Sequence, residues 1–144
     1  MPKRILIVDD NAVLVMALYN VLSEAGYQVL KADEASSAVS AVRQERPDLL
    51  LLDLSFPPDV AHGGGLAWDG FQIMTWLGRM DEARNIPIVV ISDSEAAKYQ
   101  DRAFKAGAVA YLQKPVEPEV LLAKVREVLG ETAPDFQPAA PQSS

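Results

Sequence analysis

The sequence predicts an α/β fold: a parallel sheet of five strands with five helices wound over both faces. Three observations predict it. Short runs such as Ile5–Val8, Leu49–Leu52 and Ile88–Ile91 are apolar at every position, as strands buried on both faces are. Between these runs the apolar spacing changes to that of a helix. Strand and helix patterns alternate with short connections, which implies parallel strands joined by right-handed crossovers.

Arg4 to Val8 forms the first strand and ends in Asp9-Asp10. Asn11 is a candidate cap for the helix carried by Val13, Leu14, Ala17, Leu18, Val21 and Leu22. Gly26 stands where a helix-ending residue of left-handed conformation is wanted. Tyr27 to Ala32 is the second strand, and Asp33 is a candidate cap for a helix bearing Ala35, Ala38, Val39 and Val42, stopped by Pro47. Asp48 to Asp53 is the third strand. The stretch 54–68 holds Pro57-Pro58 and Gly63-Gly64-Gly65 and reads as an extended irregular loop. Asp69-Gly70 opens a helix with Phe71, Ile73, Met74 and Leu77. Pro87 leads into the fourth strand, which ends at Ser92. Asp93 to Glu95 start a helix continued by Ala96, Tyr99, Ala103 and Phe104 and closed by Gly107. Val109 to Leu112 is the fifth strand, followed by Lys114-Pro115, with Pro115 a candidate cis-proline. Pro118 sits in the first turn of a last helix bearing Val120, Leu121, Val125, Val128 and Leu129. Residues 1–130 therefore make one domain, and 131–144, with three prolines and no apolar period, read as a disordered tail or linker stub.

Five strands suit the flavodoxin-like order 2-1-3-4-5, which sets the first and third strands side by side at the switch point. Asp9, Asp10 and Asp53 then meet in one crevice. A strand with no wet face has no room for an acid except at its end, so Asp53 lies at the carboxyl edge of the sheet, where open α/β folds place their chemistry.

Composition narrows the function. The net charge of −7 argues against direct nucleic-acid binding. The absence of cysteine excludes disulfides, thiolate metal sites and cysteine nucleophiles. The amino terminus turns acidic before a signal-peptide core forms, and no apolar run approaches the roughly 20 residues of a membrane span. The expectation is a cytoplasmic protein with no membrane partner.

Three close carboxylates repel one another unless a cation intervenes, and hard oxygen donors of this kind suit Mg²⁺. The simpler reading of Asp9-Asp10 is a pair of acids facing a helix dipole. Lys114, on the same sheet edge, offers an ammonium to Asp53 or to an anionic phosphoryl oxygen; alternatively it is a surface lysine. Ser92 offers a hydroxyl, or serves as a turn residue. An aspartate is able to attack phosphorus and form an acyl phosphate, a step driven by positioning and charge neutralisation. The combination, each group at the end of a different strand, points to Asp53 as a phosphoacceptor.

Ile-Leu-Ile-Val-Asp-Asp-Asn, Pro-Asp-Leu-Leu-Leu-Leu-Asp-Leu, Asp-Gly-Phe, Pro-Ile-Val-Val-Ile-Ser, Ala-Gly-Ala and Tyr-Leu-Gln-Lys-Pro-Val together resemble the response-regulator receiver domain (CheY-like) family of two-component signal transduction. The resemblance spans about Lys3 to Leu129. It implies the flavodoxin-like fold and assigns roles residue by residue. Asp53 matches the phosphoacceptor; Asp9 and Asp10 match the acidic pair that binds Mg²⁺ with Asp53, and the Ser55 carbonyl matches a further ligand. Ser92 matches the switch hydroxyl, Lys114 the phosphate-facing lysine and Tyr111 the aromatic switch residue. It further implies a histidine kinase or phosphotransfer protein as donor, and an unidentified downstream protein that reads the surface of the fourth helix, fifth strand and fifth helix. A phosphorylation-dependent homodimer is a further candidate assembly. Such a module is not an enzyme beyond assisting its own phosphorylation and dephosphorylation.

Two features depart from the family pattern. Pro58 to Ala67 lengthens the loop after Asp53 by roughly nine residues, where connections of about 2–6 are common. It is either a tolerated extension or a lid or partner-docking loop that changes access to Asp53. The second is the missing output domain: the expectation is either a receiver that acts alone, by docking its switch face on another protein, or a tail that leads to a domain not present in this sequence. His62, the single histidine, reads as a loop residue. Two rival readings remain at this stage: a pseudo-receiver acting as an interaction scaffold, and a metal-dependent phosphatase with an aspartyl nucleophile. The first needs none of Asp9, Asp10, Asp53, Ser92 and Lys114. The second wants an acid two positions beyond the nucleophile, where this chain has Ser55.

Overall fold

The structure is a computed structural model, and it describes residues 2–9, 11–53, 70–83, 85–92 and 96–130. Asp10, Ser55, His62, the 58–67 insertion and the 131–144 tail lie outside the described residues.

Chain order is β1 (Arg4–Val8), α1 (Ala12–Glu24), β2 (Gln28–Ala32), α2 (Ala35–Glu45), β3 (Leu49–Asp53), α3 (Gly70–Gly78), a 3₁₀ turn at Asp81–Ala83, β4 (Ile88–Ser92), α4 (Ala96–Lys105), β5 (Ala110–Gln113) and α5 (Pro118–Leu129). The strands form one parallel sheet in the order β2-β1-β3-β4-β5, as the sequence predicts. None of the helices described is long and apolar enough to cross a membrane.

Side chains of a strand alternate between sheet faces, and two cores follow from that alternation. Leu6, Val8, Leu50, Leu52 and Val90 face α2, α3 and α4, meeting Val42, Ile73, Met74 and Ala103. Ile5, Ile7, Leu49, Leu51, Val89 and Ile91 face α1 and α5, meeting Leu18, Leu22, Leu121 and Val125. Leu49 to Leu52 therefore serve both cores, two residues each, and all four are fully buried. Each stabilises the fold by roughly 1.5–3 kcal/mol through apolar burial, which is why this run tolerates no polar residue before its end.

The helix ends follow from local chemistry. Asn11 caps α1, its side-chain oxygen accepting from the amides of Val13 and Leu14. Gly26 (φ 101°) then turns the chain into β2 through a left-handed conformation. At α2 the cap is Glu34, not the expected Asp33. Glu34 and Ser37 form a reciprocal box in which the Ser37 hydroxyl accepts from the Glu34 amide, an arrangement Asp33 is one residue too early to make. Helix α2 ends on Arg46, which takes the left-handed conformation (φ 51°) usually left to glycine. Second and fifth strands each begin one residue later than the apolar pattern suggests, at Gln28 and Ala110.

Candidate functional site

The strand order decides where the acids go. β1 and β3 are neighbours in a register that pairs Val8 with Leu52, so the next residue of each, Asp9 and Asp53, emerge side by side at the carboxyl edge. Asp53 is the last residue of β3 and pairs with Ile91 of β4. Both acids are buried, Asp9 to 3% and Asp53 to 4% exposure. Asp9 also lines an open groove of ≈ 390 Å³ with Met16, Lys31 and Asp33.

Lys114 reaches this pair from the far side. Its amide donates to the Ser92 carbonyl at 2.8 Å, which continues the β4–β5 ladder one residue past Gln113. From there its Nζ lies 3.2 Å from Asp53 Oδ1 and 3.8 Å from Asp9 Oδ2. The Lys114–Pro115 bond is cis. One ammonium thus serves two buried carboxylates.

These surroundings shift the protonation of Asp9. Burial is the largest cause holding its carboxyl above the ordinary range, opposed by the Asn11 amide that donates to its Oδ1 at 2.9 Å. The neighbouring charge of Asp53, a hydrogen bond to the Asp53 carboxyl and a smaller opposing pull from Lys114 complete the balance, and Asp9 is pushed from 3.8 up to about 7. A carboxyl that binds its proton more tightly in the folded site than in the unfolded chain makes folding less favourable as pH rises between those two values. The metal-free protein should therefore lose stability between about pH 4 and about pH 7 through Asp9. Urea unfolding of wild type and Asp9→Asn across that window checks this: the wild-type curve falls relative to the variant, whereas parallel curves would contradict it.

Ser92 and Tyr111 belong to the other face. Ser92 ends β4, is fully buried and follows the parity of Val90. Tyr111 pairs with Val90 across the β4–β5 ladder and packs against the core beneath α2, α3 and α4. Its hydroxyl is buried, with no hydrogen-bond partner among the described residues. The site is therefore split by the sheet's pleat, with Asp53 on the parity of the α1/α5 face and Ser92 and Tyr111 on the α4 face.

Of the residues predicted from sequence, the structure brings together Asp9, Asp53 and Lys114, and places Ser92 at the end of the adjacent strand. Asp10 and Ser55 lie outside the described residues, and among those described no group of three or more metal-ligating side chains is gathered. One contributor escaped the sequence reading: the Asn11 amide as holder of Asp9. The available signal was the spacing, since an aspartate often accepts from the backbone amide two residues on.

The family model of the response regulator receiver domain matches residues 5–126. The chain belongs to the response regulator receiver domain family. Protein PilH of Pseudomonas aeruginosa is 36% identical over 88% of this chain and 97% of its own length. Among solved structures, a CheY-like response regulator receiver domain protein from Methanospirillum hungatei JF-1 superposes with a TM-score of 0.77 at 27% identity, over 90% of this chain and 95% of that one. The receiver domain of sensor histidine kinase PA1611 from Pseudomonas aeruginosa, solved with a magnesium ion coordinated in its active site cleft, shares the fold with a TM-score of 0.77 at 23% identity, over 91% of this chain and all of that one. This receiver, then, is a domain of two-component systems, and its flavodoxin-like topology is that of its relatives.

Proposed function

We propose that this receiver takes a phosphoryl group on Asp53 from a histidine kinase or phosphotransfer protein, with Mg²⁺ bound, and passes the signal by switching its affinity for a partner. The observation that carries the reading is the Lys114 ammonium 3.2 Å from the Asp53 carboxylate at the buried end of β3. In the transfer an Asp53 oxygen forms a bond to phosphorus as the bond between phosphorus and the donor histidine nitrogen breaks. The electron pair and then a proton return to the donor imidazole. Lys114, already beside the nucleophile, meets the phosphoryl charge that arrives there. The receiver is not itself an enzyme in this reading; it supplies its own acceptor and clamp.

The donor set fits a divalent cation. Two buried carboxylates share the Lys114 ammonium, and Asp9 is pushed toward its neutral form by burial and by Asp53, so a divalent cation beside the pair would favour its ionised form. Magnesium usually takes one or two carboxylates and keeps several waters. Asp9 and Asp53 would hold it, with Asp10 and the Ser55 carbonyl as the further ligands proposed from the family pattern. When bound, the ion would neutralise charge on the phosphoryl oxygens during transfer.

The switch uses the other face. Ser92 turns toward the new phosphoryl oxygens, and Tyr111, on the same face, moves into the space it leaves. Because Tyr111 packs against the core under α4, the α4–β5–α5 surface changes with it. A partner, or a second copy of the receiver, responds in proportion to its differential affinity for that form. Ser92→Ala should leave phosphorylation itself measurable but uncouple it from partner capture, checked by pull-down with phosphorylated and unphosphorylated protein. Intact phosphorylation-dependent capture by the variant would end this coupling.

Incubation with Mg²⁺ and acetyl phosphate followed by intact-mass measurement tests the whole reading. A single stable phosphoryl label supports it. No label supports an interaction scaffold, and sustained turnover of the donor supports a phosphatase.

A further inference from the structure

Asp9 has two oxygens, and the structure uses them differently. Oδ1 accepts from the Asn11 amide at 2.9 Å, while Oδ2 is the one that faces Lys114 at 3.8 Å. Asn11 is held from its other side as well, for its own side-chain oxygen accepts from the Val13 amide at 3.0 Å and the Leu14 amide at 3.2 Å. Helix α1 is in turn anchored to the sheet by Leu18 and Leu22, both buried. A continuous chain of contacts therefore runs from the core, through the first turn of α1, to one oxygen of a site carboxylate. The Asn11 side chain makes the tie to that turn.

We infer that Asn11 is a positioning residue for the cation site: by capping α1 it fixes the amide that pins Asp9 Oδ1 and leaves Oδ2 turned to the crevice. The inference rests on the reading of Asp9 as a ligand. Without the cap the first turn frays, the Asn11 amide loses its fixed direction and the Asp9 carboxylate rotates more freely. Partners that orient a metal ligand govern affinity even though they never touch the ion.

The test is calorimetric titration of Mg²⁺ into unphosphorylated wild type, Asn11→Ala, Asn11→Ser and Glu34→Ala, each far below its melting temperature. Asn11→Ala should weaken Mg²⁺ binding about tenfold, the low end of what losing such an orienting partner costs. Asn11→Ser should restore it to within about twofold, because serine caps a helix as well as asparagine does. Glu34→Ala truncates the capping-box residue of α2 and should lower the melting temperature while leaving Mg²⁺ affinity unchanged. Wild-type affinity in Asn11→Ala, no recovery in Asn11→Ser, or an equal loss in Glu34→Ala would each overturn the inference. A wild-type protein that binds no Mg²⁺ would instead overturn the reading of the site, and the inference with it.

Discussion

Lys114→Ala should slow phosphorylation by acetyl phosphate about 10²–10³-fold, the cost of removing one preorganised charge from a site where negative charge gathers. The magnitude follows from the position of the ammonium. It lies 3.2 Å from the proposed nucleophile, and its side chain is only 16% exposed, so little solvent is present to substitute for it. The same variant should be destabilised at pH 8 without metal by roughly 3 kcal/mol, because it removes the ammonium that two buried carboxylates share. Lys114 is also one of the two influences that lower the proton affinity of Asp9, so its loss should move the Asp9 titration above about 7. Saturating Mg²⁺ should recover most of the stability and little of the rate. Stopped-flow labelling and urea unfolding, each with and without Mg²⁺, give these quantities. A variant that labels at the wild-type rate would show that the lysine is an ordinary ion-pair partner.

Asp53→Asn should take no phosphoryl label at all, since an amide has no carboxylate oxygen to offer phosphorus. It should also change Asp9 in a direction that separates causes. Two of the three influences raising the Asp9 value come from Asp53, its charge and its hydrogen bond, while the largest, burial, does not. The Asp9 titration should therefore fall toward 3.8 in Asp53→Asn without reaching it. Carboxyl-carbon NMR of the metal-free protein reads this directly. An Asp9 midpoint that does not move would mean that burial alone sets it and that the two acids are not coupled.

These two variants probe the part of the site that sequence made legible. Leu49 to Leu52 announced a strand buried on both faces, and the acid after them had only one place to go. The parallel order then brought Asp9 beside Asp53, and the apolar run Ile88–Ile91 brought Ser92 to the same edge. The details that escaped depend on atoms rather than on patterns. Which oxygen of Asp9 meets Lys114 is set by the Asn11 amide, and the aspartate two residues before it hints at that bond without giving the direction of the second oxygen. The cap of α2 went to Glu34 because Ser37 returns a hydrogen bond to it, although Asp33 is the residue type that the sequence favours for a cap. A left-handed turn at Arg46 carries no glycine to mark it, and the buried Tyr111 hydroxyl follows from packing under α4 rather than from its neighbours in sequence.

The central claim is that Asp53, and no other acid, carries the phosphoryl group. Borohydride reduction after treatment with Mg²⁺ and acetyl phosphate converts an acyl-phosphorylated aspartate to homoserine, and peptide sequencing then locates it. The account predicts homoserine at position 53 alone, at a yield that falls to background when Mg²⁺ is chelated. Homoserine at position 9 or 10, or an unmodified Asp53 under saturating donor and metal, would contradict it.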